Sequence, residues 1–547
     1  MRRVADRRGE VALPSSEVAG SASETIRATL GLALLFLLLL SGCGKPSEAA
    51  SGNILRVSQR NEPADLDPAT ASLPDEFFII RAVGEGLLVP DPKGGKPIPA
   101  AAERYELSPD GLTYTFYLRR EARWSNGEAV TAADFVASYE RLLAPSTASP
   151  KAHLFDAVRQ AREYNLGQVP FAAVGIRALD AHTLVITLAR PTPRFSHYVA
   201  SGPWIPVNPR VVARYGRTWT QPEHHVGNGP FTLAEWRPQQ RIVVTKNPRY
   251  VDAAGVALAG IHFIRLDGKD NEERAYRAGQ VDVTMAVPES KLDLYAREHP
   301  GELRQQPLAE TRFLTFNPAR RPLDDARVRR ALSLAIDRQR IVDLVLRGGQ
   351  VPAHRFVSPA LHGGTDAPAR HDHDPAAARA LMAEAGYPDG RGFPQLELAG
   401  WASNPALETI QQMWRHELGI EIALVTQEAK VHLDALVTGR YDIGFATNLL
   451  DVADSVAALA DFASDAPNNF PHWRSPEYDR LLDAAAHDRD PLAAERAWLE
   501  AERLLLDAAV VAPLYFNTQN WLMSPRVQGW QQDALWNRRY NEVRLRP

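Results

Sequence analysis

The feature that most constrains the fold is a change of period inside one stretch, residues 112–143. "LTYTFYLR" alternates apolar and polar positions and is rich in β-branched and aromatic types, the two-residue period of a half-buried strand. "WSNGEAV" turns the chain, because Asn126-Gly127 is a strong turn signal. "TAADFVASYERLL" then runs at helical spacing, with Thr131 as N-cap and Asp134 at the third helical position, a variant of the capping box. The same switch recurs to the C-terminus. Strands are expected near 55–57, at Thr183 to Leu188 and Arg241 to Thr245, and at "VDVTM", "RFLTFNP", "IEIALV", "YDIGFAT" and "VVAPLYF". Helices are expected at "DEFFIIRAVGEGLL", with Phe77, Ile80 and Gly84 on one face, and at "DDARVRRALSLAIDRQRIVDLVL", read as one long amphipathic helix. "AAARALMAEAGY" is another, with Asp374 as its cap and Pro375 at the first position, and "KVHLDALVTG" follows. "SGPWIPVNP" holds too much proline for a central strand. Short strands interleaved with helices over 547 residues exceed what one core can serve and predict an α/β fold in two lobes.

The N-terminus carries a second constraint. Arg2, Arg3, Arg7, Arg8 and Arg27 precede the apolar run Leu30 to Leu40, which is roughly half the ~20 residues needed to span a bilayer core. It reads as the apolar region of a secretory signal. Leu40-Ser41-Gly42-Cys43 resembles the bacterial lipobox, whose cysteine is lipidated before the signal is cut. An ordinary signal with a coincidental cysteine is the alternative. "GKPSEAASGN" is small and polar, a tether. Cys43 is also the one cysteine in the chain, which excludes an intrachain disulfide framework, a cysteine zinc site and an iron–sulfur cluster. A net charge of -4 offers no basic face to nucleic acid.

Candidate chemistry is sparse. "HDHD", His371 to Asp374, has metal-ligand types, but Asp374 already has a capping role. His224 and His225 lie in a polar loop before "GNGPF", which reads as a tight turn feeding the strand Phe231 to Trp236. There is no nucleophile elbow, no H-E-x-x-H and no P-loop. No catalytic residue, metal or cofactor is expected.

Whole phrases carry more. "GEGLL" at 84–88, "SPDGLTYTFYLRREARWSNGEAVTAADFVASYERLLAPSTASP" at 108–150, "GNGPFTLAEWRPQQRIVVTKNPRY" at 227–250, "LDDARVRRALSLAIDR", "LMAEAGYPDG" and "YDIGFAT" resemble, in order, the solute-binding proteins of oligopeptide ABC importers, solute-binding family 5. The resemblance implies a two-lobed periplasmic-binding-protein fold of the cluster C type with an extra small domain on the first lobe. It places a signal peptide at 1–42, a tether at 43–53, lobe I at 54–74, 206–309 and 519–547, the small domain at 75–205 and lobe II at 310–518. A short peptide would lie between the lobes, pairing its backbone with strand edges. Closure would present it to an ABC permease and ATPase complex from a monomer anchored through Cys43, on the periplasmic side and in either membrane.

In peptide-binding members an aspartate just beyond the strand matching "YDIGFAT" receives the ligand's α-amino group, and the matching residue is Asp451. Read without the family, Asp451 could equally cap the following helix, for which Asp454 is better spaced. The chain departs from the pattern around it. Asn448 and Val452 replace a tryptophan and a tyrosine, Glu310 and Leu449 lie at or near the positions where some members have a disulfide, and arginines able to take a ligand carboxylate are missing near Leu436 and Phe445. Tyr515, Phe516 and Trp473 are further candidates to line the cleft, with strand core as the plain alternative. Rival readings are a ligand-presenting receptor for a signalling partner, a binder of a non-peptide solute and, less well supported, a secreted hydrolase.

Overall fold

The structure is a computed structural model and describes residues 53–91, 95–361, 373–401 and 404–546. Cys43 and its tether, with His371 and Asp372 of "HDHD", lie outside the described residues.

Three sheets organise the chain. The first holds Ile54–Gln59 parallel to Gly260–Arg265, followed antiparallel by Arg241–Lys246 and Phe231–Arg237. Its alternating residues Leu55, Val57, Ile242, Val244, Ile261 and Phe263 are buried. They pack with Phe77, Ile80 and Val83 of the helix Pro74–Val83 and with Trp521 and Tyr540 from the far end of the chain. The second sheet is wholly antiparallel, in the order Ala102–Leu107, Thr113–Leu118, Thr183–Thr187, Ile176–Asp180. Tyr114, Phe116 and Leu118 turn inward onto Phe135 and Tyr139 of the helix Ala132–Leu143. The expected capping box is there: the Thr131 amide donates to the Asp134 carboxylate at 2.9 Å.

The third sheet has six strands, ordered Val351–Pro352, Val511–Leu522, Leu303–Phe316, Ile443–Asn448, Leu396–Trp401, Ile422–Gln427. It is covered on both faces, so the inner parts of its central strands are buried residue after residue, as at 313–316 and 511–516. Along Leu303–Phe316, Leu314 and Phe316 enter the core holding Leu332 and Trp414, while Phe313 enters the opposite core with Phe356, Tyr478 and Trp498. Leu303–Phe316 and Val511–Leu522 are the long strands of the protein, paired antiparallel from Leu303↔Leu522 to Thr315↔Val511 with the ladder interrupted between Pro307 and Thr311. One end of the pair packs with Val287, Leu292 and Tyr295, beside the first sheet, and the other end is inside the third. These two strands carry the chain from one lobe to the other.

Two expectations need correction. "VDVTM" makes no strand, since Val283 forms only isolated bridges to Val57 and Met523. The long helix at 324–346 is broken: it runs Ala326–Leu334, after which Asp337 accepts the Arg340 amide at 2.9 Å and starts a new turn. Arg338 is drawn into the core there, donating to Pro513 O at 2.6 Å and to the Ser333 hydroxyl at 2.9 Å. A straight helix would aim that guanidinium elsewhere. Asp374 caps the helix Pro375–Glu384 as expected, accepting from Ala377 N at 2.9 Å. His224 and His225 stack on Tyr215 and Trp219, and burial pulls the His225 imidazole down to about 4. They are half-buried ring partners of a small aromatic cluster.

Candidate ligand cleft

A cavity of about 690 Å³ opens beside the crossing strands and is walled by both lobes and by the small antiparallel domain. The Pro74–Val83 helix lends Phe77, Phe78 and Arg81, the crossing strands lend Glu310, Arg312 and Tyr515, and the third sheet and its loops lend Trp401, Phe445 and Asp451.

Asp451 lies on the loop that leaves the strand Ile443–Asn448. Its capping role is taken: Asp454 accepts from Val456 N at 3.2 Å and heads the helix Ser455–Ala460. The Asp451 carboxylate instead meets the small domain, where the Lys151 ammonium donates to Oδ1 at 2.7 Å and Oδ2 at 2.9 Å. Lys151 is largely enclosed, its side chain 14% exposed against 31% for Asp451. His153 stands 3.9 Å away, beyond hydrogen-bond range, and burial lowers its imidazole pKa. The loop is pinned on the same side by Val452, buried in the small domain's core, and by Arg194, 3.2 Å from the Asp454 carboxylate. Burial raises the Asp454 pKa against the opposing pull of Arg194.

A second polar group faces the same cavity. Glu310 is buried and accepts from Thr447 and Asn517, each at 2.9 Å, and pairs with Arg312 at 2.5 Å. The Arg312 guanidinium lies 5.5 Å from the Trp401 ring centre, and Trp401 stacks on Phe445 at 4.9 Å. A guanidinium thus stands beside Phe445, supplied by the neighbouring strand. On the opposite wall Phe78 stacks on Trp536 at 6.5 Å, with the Arg538 guanidinium 3.9 Å above Phe78. Burial lowers Arg81 to about 10, Asp533 working against it, and its nearest acceptor is Ala200 O at 3.4 Å. Apolar flat walls with a few fixed charges are the make-up of a solute pocket.

Residues 96–470 match the model of the bacterial extracellular solute-binding proteins, family 5. The chain belongs to this family. Among its relatives is a probable deoxycholate-binding periplasmic protein of Escherichia coli, 32% identical over 88% of this chain and 91% of the relative. Another is the periplasmic oligopeptide-binding protein OppA of Salmonella typhimurium, 30% identical over 92% of this chain and 96% of the relative. The E. coli murein tripeptide binding protein MppA superposes with a TM-score of 0.80 at 30% identity, covering 90% of this chain and 98% of that one. Its unliganded open form gives 0.75 over 90% and 97% at the same identity. A periplasmic oligopeptide-binding protein of an oligopeptide ABC transporter from Borrelia burgdorferi gives 0.80 at 29% identity, covering 90% and 100%. The fold is the two-lobed α/β fold of these solute-binding proteins, with the small domain added to the first lobe.

Within this family frame, the structure brings Asp451 and Tyr515 to one cavity, and burial raises the Tyr515 phenol pKa. It does not bring the other three candidates to the wall. Phe516 follows Tyr515 on an extended strand and so points to the other face, buried. Asn448 is 2% exposed and donates to Asp461 at 2.7 Å, where burial raises that carboxyl's pKa. Trp473 packs edge-on against Tyr478 at 5.0 Å, and its amide donates to Asn469. Lys151, Arg312 and Trp401 escaped the sequence reading. Lys151 sits 300 positions from its partner, and nothing local marks it among the other basic residues.

Proposed function

We propose that this chain is an extracytoplasmic receptor that captures short peptides between its lobes and hands them to the permease and ATPase of an ABC importer. It acts as a monomer, tethered to the membrane through lipidated Cys43, with no catalysis of its own. The lobe and domain boundaries stated above belong to this reading. The observation that carries the reading is Asp451: a carboxylate on the cavity wall, excused from capping by Asp454, at the position to which the family resemblance assigns the ligand's ammonium. A buried ammonium needs such a partner.

Protein purified from cells under gentle conditions, then denatured, should release short peptides detectable by mass spectrometry. A released pool free of peptides sinks the reading. It would favour a second one, a non-peptide solute with an apolar body, to which the aromatic walls of Phe78, Trp401, Phe445 and Trp536 are suited. The deoxycholate-binding name of one relative points the same way.

The anchor has its own test. Cys43→Ser should move the protein from the membrane fraction to the soluble extracytoplasmic fraction, with unchanged ligand release. A variant that still sediments with membranes in high salt rules the lipid anchor out.

A further inference from the structure

We infer that Lys151 is the specificity-determining residue at the Asp451 end of the cleft: it is an internal counter-ion that the ligand's ammonium has to displace, and its presence makes the site tolerant of ligands lacking an ammonium. This rests on the peptide reading above.

Both oxygens of Asp451 are engaged by the Lys151 ammonium, at 2.7 and 2.9 Å, so a ligand ammonium arriving at that carboxylate meets a seat already filled by the same chemical group. The two partners come from different domains, Lys151 from the short 3₁₀ turn region after Pro150 and Asp451 from the loop after the strand Ile443–Asn448. That loop does not depend on the pair for its place, since Val452 is buried in the small domain's core and Arg194 holds Asp454. Lys151 can therefore leave without the wall collapsing. Its ammonium is a point charge on a flexible four-carbon stem and can turn to water once released.

The exchange removes most of the discrimination that a bare carboxylate would impose. A free amino terminus replaces one ammonium by another on the same oxygens, with little net gain. A blocked terminus leaves the Lys151–Asp451 pair in place and strands no charge. Without Lys151, the free terminus meets an unpaired carboxylate and gains fully, while the blocked one leaves that carboxylate buried alone.

The test uses the full-length mature protein, stripped of cargo by unfolding and refolding, titrated calorimetrically with trileucine and with N-acetyl-trileucine. Wild type should bind the two within about threefold of each other, because like replaces like on Asp451. Lys151→Met should bind the free peptide about tenfold tighter and the acetylated one about tenfold weaker, opening a gap of roughly a hundredfold. Lys151→Arg keeps a cation on the carboxylate and should keep the wild-type ratio. A ratio unchanged by Lys151→Met, with both peptides bound, overturns the inference and leaves the peptide reading standing. A wild type that already prefers the free peptide by more than about thirtyfold also overturns it. If neither peptide binds any of the proteins, the peptide reading falls, and this inference with it.

Discussion

Asp451→Asn is expected to weaken binding of a peptide with a free amino terminus by roughly thirtyfold, about 2 kcal/mol at 1.4 kcal/mol per tenfold. That is the lower end of the range for removing one partner of an enclosed charge pair, chosen because the Asp451 side chain keeps 31% of its exposure. The loss has two sources. The ligand ammonium loses its carboxylate, and Lys151, now without that carboxylate at 2.7 Å, becomes a like charge facing it. Asparagine keeps the shape, so the unfolding transition should stay where it is, and a denaturant melt beside the titration separates lost charge from lost fold. An N-acetylated peptide should lose much less than the free one. Equal losses for the two would mean that Asp451 shapes the wall without reading the ligand's charge.

Glu502→Leu should destabilise the protein by ~3–5 kcal/mol, the usual cost of removing one member of a buried, hydrogen-bonded ion pair. Glu502 sits on the helix Pro491–Asp507, 5% exposed, and one carboxylate oxygen accepts from Phe356 N at 2.9 Å and Val357 N at 2.8 Å. The other oxygen accepts from Arg355 Nη2 at 2.8 Å. Leucine fills the space but leaves two buried amides without acceptors and takes the carboxylate from Arg355. Glu502→Gln retains an acceptor for the amides and should cost only about 1–2 kcal/mol. Denaturant midpoints read both, at unchanged slope. Equal, small shifts for the two variants would show that the segment carrying Phe356 and Val357 is held by apolar packing against Phe313 and Phe462 alone.

Local signals in the sequence were sufficient wherever one element decides its own conformation. The strand Thr113–Leu118 and the helix Ala132–Leu143 follow from period, turn and cap, because each of these acts within a few residues. They failed where a partner distant in the chain intervenes. Arg338 lies in what reads as one amphipathic helix, yet the carbonyl of Pro513 draws it inward while Asp337 restarts the backbone. "VDVTM" has strand composition, but Val283 is placed between Val57 and Met523 and bridges each only singly.

The cleft divides the same way. By itself the sequence determined the α/β class, the likeness to the family and the pair of aspartates, Asp451 and Asp454, one of which had to cap the helix that follows. Spacing already favoured Asp454 as the cap, and the tertiary structure adds that Arg194 and Val452 tie this loop to a different domain. Only it placed Lys151 on Asp451 and Arg312 beside Phe445, and turned Asn448, Phe516 and Trp473 away from the cavity. A strand's period says which residues share a face. Which charge from hundreds of positions away stands opposite that face is set by how the lobes come together, and no local pattern records it.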